Sequence, residues 1–171
     1  MNVFFIIYIS FIGDKMNRKY DKEFIISLLI PLIVGIISAL LSRSGMMNFE
    51  NLNMPSFSPP AFAFPIVWTI LYILMGISSY LIYKSNDYHK NCCLMIYGIS
   101  LFLNFLWSPL FFGLELRLFA LIWLIVLDFV IIFMIWCFYG VNKKAAYLQI
   151  PYLLWCLFAT LLNYSIYILN R

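Results

Sequence analysis

Apolar positions along the chain gather into five long runs separated by short polar breaks. The runs occupy residues 24–41, 65–83, 91–112, 118–139 and 147–169. A bilayer-spanning helix needs about 20 apolar residues, so each run is read as a transmembrane helix. The pattern predicts an all-α integral membrane protein, a five-transmembrane-helix bundle over residues 24–169, preceded by a non-spanning extension over residues 1–23. Residues 1–12 are apolar but too short to span, and they lack the basic start and small-residue cleavage site of a signal peptide. Met16 opens a polar, charged run and reads as a natural start. Residues 1–15 are therefore read as an upstream extension, with an interfacial segment as the alternative. Between the first two runs, residues 42–64 read as a long polar, Pro-rich loop carrying Phe57, and loops of that length are often functional lids.

Composition narrows the class. The chain is 65% apolar and 11% charged over 171 residues, against about 45–50% and about 25% in soluble domains. A small soluble fold cannot hide that much apolar surface. This excludes a water-soluble globule, a disordered tail and a nucleic-acid binder. The net charge of +4 comes from Lys and Arg at segment ends. Lys15, Arg18, Lys19, Lys22, Lys84, Lys90, Lys143 and Lys144 fall on one side of the membrane; Arg43, Arg117 and Arg171 fall on the other. Because basic residues stay on the cytoplasmic side, this asymmetry predicts a bacterial plasma membrane with a cytoplasmic N-terminus, in preference to a mitochondrial outer membrane. The four cysteines show no metal-ligand spacing and are expected to be inert and buried. His89 lies in a polar turn and is expected to be solvated. No metal site, hydrolytic triad or nucleotide-binding pattern is present, so neither ATP-driven transport nor nicotinamide chemistry is expected.

Aromatic residues make up 20% of the chain, more than lipid contact requires. Asn104, Trp107, Ser108 and Phe111 share one face of the third run. Tyr152, Trp155, Ala159 and Asn163 make a similar stripe on the fifth, and Trp68 and Tyr72 one on the second. Trp and Tyr also form interfacial belts, and Asn side chains also serve as interhelical glue. Aromatic faces with a few placed polar groups suit a flat apolar ligand such as a porphyrin or a sterol. Asp128, near the middle of the fourth run, is a proton or ion site, a cap on a neighbour's polar group, or a carboxyl kept neutral by desolvation. Ser27, Pro31, Gly35 and Ala39 follow strict i+4 spacing on the first run and allow close helix approach, within the bundle or at a dimer seam.

Four blocks in order resemble the TspO family of tryptophan-rich sensory and translocator proteins: Pro55-Ser-Phe-Ser-Pro-Pro60; Pro65-x-x-Trp68 with Leu71-Tyr72-x-x-Met75-Gly76; Leu103-Asn104-x-x-Trp107-Ser-Pro-Leu-Phe-Phe-Gly113; and Pro151-Tyr152-Leu-x-Trp155-x-x-Phe158-Ala159-x-x-Leu162-Asn163-Tyr164. The resemblance covers about residues 24–169. It implies a five-helix bundle, often a homodimer, with an aromatic cavity beneath the first loop. That cavity would bind protoporphyrin IX, haem or similar hydrophobic ring ligands, with no cofactor required and lipid as the surrounding partner. The pocket positions it carries over are Trp68, Asn104, Trp107, Tyr152, Trp155, Ala159 and Asn163. Light-dependent porphyrin degradation and ligand transport are the alternatives it brings, with no catalytic residue assigned. Phe57 stands where the family usually has Trp and is a poorer electron donor, which weakens photochemistry while preserving stacking. Leu162, Tyr167 and Arg171 satisfy the loose sterol pattern, but no basic residue closely follows Tyr164, the better match to the family's Tyr, so cholesterol is discounted.

Overall fold

The structure, a computed structural model, describes residues 18–49 and 52–171. It contains helices α1 (Arg18–Phe49), α2 (Ala63–Tyr83), α3 (Lys90–Ser108), α4 (Arg117–Val141) and α5 (Lys143–Leu169), with a π-helical turn, Pro109–Gly113, continuing α3. Each helix includes a segment long and apolar enough to cross a membrane. Among the described residues there is no strand, and the predicted all-α five-helix membrane bundle is observed. The readings made for residues 1–17 lie outside the described residues. Residues 18–23, expected in the non-spanning extension, form the start of α1.

Around the bundle the helices run α1, α2, α5, α4, α3 and back to α1. Neighbours in sequence are therefore not always neighbours in space, and α2 packs on α5. The interior is filled by Tyr72, Met75, Leu127, Ile131, Phe138 and Tyr152, all buried. The outer faces of α1 and α4 expose Ile, Leu and Phe, including Ile36, Leu40 and Phe129. Such faces suit a hydrocarbon surround rather than water.

Proline determines several of the contacts between helices. Pro109 has no N–H to offer the carbonyl of Phe105 one turn back. Ser38 Oγ of α1 donates to that carbonyl instead, at 2.7 Å. The chain then widens into the π-turn, in which Leu114 N donates to Pro109 O at 2.9 Å. Pro31 likewise frees the carbonyl of Ser27, and Gly76 of α2 sits against it. A Cβ at Gly76 would lie 2.8 Å from both Ser27 O and Leu28 Cα, so this crossing requires glycine. Asn142 makes the tight α4–α5 turn, its Oδ1 accepting from Lys144 N at 3.0 Å and Ala145 N at 3.2 Å as an N-cap.

Three expectations need correction. Helix α1 does not stop at residue 41 but continues to Phe49, shortening the predicted loop. The extension carries a glycine that disfavours helix, yet buried Ser42 and Gly45 pack on the π-turn and over-ride that propensity. The strict i+4 stripe on α1 packs against α2 from Ser27 to Gly35, where a Cβ would strike the Tyr72 ring, and leaves the interface at Ala39. Steps of four advance about 40° past a full turn, so the inward line moves from Pro31 to Ser38 and Ser42, and Ala39 faces outward. That line packs within the bundle. Of the thiols, Cys93 and Cys156 are buried, but Cys92 is exposed.

Candidate ligand-binding site

Three aromatic groups form at the end of the ring where the α1–α2 loop, the π-turn and the C-terminus of α5 meet. The innermost joins α2, α3 and α5. Trp68 stacks on Tyr72, with ring centroids 5.4 Å apart, and meets Tyr152 edge-on at 6.4 Å. The Tyr72 hydroxyl donates to Asn104 Oδ1 at 2.9 Å. Nearer the loop, Phe57 meets Phe158 at 6.3 Å, Phe158 meets Trp155 at 5.4 Å, and Trp155 meets Phe64 at 5.9 Å. The third group is Trp107 with Phe111 at 5.4 Å and Phe112 at 5.9 Å. Helical spacing places these rings: Trp68 and Tyr72 are four apart, and Trp155 and Phe158 three apart, so each pair shares a face.

Of the sequence-derived positions, Trp68, Tyr72, Asn104 and Tyr152 are thus brought together, and Phe57 and Trp155 are linked through Phe158. Trp107 packs against both hydrophobic clusters of the bundle. Ala159 and Asn163 are buried on α5, at 8% and 2% exposure. Ser108 turns elsewhere: its Oγ donates to Ser42 Oγ at 2.7 Å, and Ser42 Oγ donates to Ser38 O at 2.8 Å. That chain ties α3 to α1. Trp68 packs against the core rather than standing in an interfacial belt. Asp128 is buried at the α4–α5 seam, where its Oδ2 accepts from Thr160 Oγ1 at 2.7 Å. His89 is exposed, 3.2 Å from Asp87 Oδ1.

Two of the polar side chains here lack a partner among the described residues, as does the buried amide of Gln149 elsewhere on α5. Trp107 Nε1 and both amide atoms of Asn163 are buried without a hydrogen-bond partner among the described residues. Leaving such a group unsatisfied costs about 1–3 kcal/mol, and native interiors pair nearly all of them. They are neutral donors and acceptors buried in an interior otherwise built of aromatic and aliphatic side chains.

Sequence reasoning missed the anchor of the loop. Asn53 N donates to Asn170 Oδ1 at 2.9 Å, and Asn170 Nδ2 donates back to Asn53 O at 3.0 Å. The same Nδ2 donates to Ile166 O at 2.8 Å, which holds the amide in place. Leu52 and Met54, flanking Asn53, pack on the outer hydrophobic cluster. No spacing signals a pair 117 residues apart. Replacing Asn170 by Ala removes both loop bonds, each worth about 1 kcal/mol net. Hydrogen exchange at the Asn53 amide is expected to rise at least about fivefold, with the helices unaffected. An unchanged rate would show that Leu52 and Met54 hold the loop alone.

The TspO/MBR family profile matches residues 27–169. The tryptophan-rich protein TspO of Archaeoglobus fulgidus is 36% identical over 149 residues, covering 86% of this chain and 97% of that one. The tryptophan-rich sensory protein of Cereibacter sphaeroides is 34% identical over 122 residues, covering 71% and 76%. The translocator protein of Sus scrofa is 34% identical over 143 residues, covering 81% and 85%.

Proposed function

This chain belongs to the TspO/MBR family, and from that premise we propose that it is a membrane receptor for porphyrins, such as protoporphyrin IX or haem, or for similar hydrophobic ring ligands. The observation that supports the reading is the unpartnered indole N–H of Trp107, packed in the clusters that hold Trp68, Trp155 and Phe158, together with the unpartnered amide of Asn163 on α5. A tetrapyrrole offers a broad π face for the rings and polar edges for the amide and the indole N–H. Phe57, 46% exposed above Phe158, acts as a lid contact. Tyr72 and Asn104 already bond each other, so their part is to brace α2 against α3 behind the ligand.

The integral membrane location follows from the family and the five apolar helices. We infer the finer placement, a bacterial plasma membrane with the N-terminus cytoplasmic, from the Lys and Arg asymmetry. The experiment is titration of the detergent-solubilised protein with protoporphyrin IX while following Trp emission. Saturable quenching supports the reading, and its absence defeats it. Illuminating the complex separates receptor from photo-oxidising enzyme. With Phe at position 57, porphyrin absorbance is expected to decay no faster than for free porphyrin, and faster loss would favour the enzyme.

A further inference from the structure

Away from the aromatic groups, an open groove of about 460 Å³ lies between the start of α4 and the end of α5. Its rim carries Arg117, Arg171 and Glu115, and its floor is Leu118, Phe119 and Ile122. The three floor residues are about half exposed and continue the lipid-facing surface of α4. Arg117 begins the apolar span of α4, and Leu169 ends that of α5. The groove therefore sits at the boundary between hydrocarbon and headgroup.

The two guanidinium groups at the rim are incompletely met. Arg117 Nη2 lies 3.6 Å from Glu115 Oε2, a long pair, while Arg117 Nε is buried with no hydrogen-bond partner among the described residues. Arg171 makes no ion pair among the described residues. No side chain caps the first turn of α4, and no acidic residue lies in it. A guanidinium fork is suited to phosphate oxygens.

We propose that this groove binds an anionic phospholipid of the surrounding bilayer, its phosphate held by Arg117 and Arg171 and an acyl chain lying along Leu118, Phe119 and Ile122. A phosphate beside two arginines satisfies the rim, and only an amphipathic anion also covers the apolar floor. Neither arginine belongs to the aromatic groups, so the proposal stands or falls apart from porphyrin binding.

Native mass spectrometry of the detergent-solubilised protein tests it, with phosphatidylglycerol, phosphatidylcholine and inorganic phosphate as probes. Phosphatidylglycerol is expected to bind about fivefold or more tightly than phosphatidylcholine and to resist displacement by excess phosphate. Arg117→Gln and Arg171→Gln are each expected to weaken it about fivefold, the effect of one basic residue near a membrane surface, without altering porphyrin quenching. Arg171 lies beyond the last helix, so Arg171→Gln decides the matter even if Arg117→Gln misfolds. Equal retention of the two lipids, wild-type binding by Arg171→Gln, or displacement by phosphate alone would overturn the proposal.

Discussion

Trp155→Ala is expected to raise the dissociation constant for protoporphyrin IX about 30-fold or more, the effect of losing an aromatic anchor worth about 2 kcal/mol. Trp155 lies between Phe64 and Phe158, and Phe158 carries the contact to Phe57 on the loop. Removing its indole takes away a wall of the site and the link from wall to lid. Trp136 provides the control: it is 71% exposed on the outer face of α4, and Trp136→Ala should leave binding unchanged. Asn163→Leu sharpens the test because its two effects have opposite signs. Deleting an amide whose donor and acceptor are both buried and unpartnered should raise the thermal midpoint of the free protein. The same change should weaken porphyrin about tenfold, the value of one polar contact to the ligand. A stabilised variant with wild-type affinity would show that Asn163 takes no part in binding.

The largest loss of stability is expected from Gly45→Leu. A Cβ at this position would overlap the carbonyl of Phe112, a backbone atom of the π-turn that no side-chain rotation can move. Helix α1 would have to withdraw, disturbing the Ser108–Ser42 hydrogen bond nearby. Over-packing of this kind costs about 3 kcal/mol, or about 10 °C in thermal midpoint for a chain of this size. Gly98 and Gly140 have open space where a Cβ would stand, and there Ala should be neutral or stabilising by up to about 1 kcal/mol. The surviving monodisperse fraction after heating in detergent measures all three variants. A Gly45→Leu midpoint within a degree or two of the parent would refute the tight seam.

The hydrophobic pattern located all five helices because a bilayer demands long apolar runs, and short polar breaks are where the chain turns back. The aromatic stripes were legible for a related reason: residues three or four apart on a helix share a face. Partners were not legible. Ser108, which shares a stripe with Asn104 and Trp107, bonds to Ser42 of α1. Asn170, in no stripe, anchors the loop by Asn53.

By itself, then, the sequence determined that this protein is a five-span membrane helix bundle and which helix faces carry its aromatic residues, because both are properties of local periodicity. The order of helices around the ring, the extension of α1 to Phe49 and the pairing of Asn53 with Asn170 were decided only in the tertiary structure. Each depends on contacts between segments distant in sequence: glycine admitting a neighbouring backbone, a proline-freed carbonyl finding a hydroxyl, an amide reaching a loop. Such contacts leave no period in the chain.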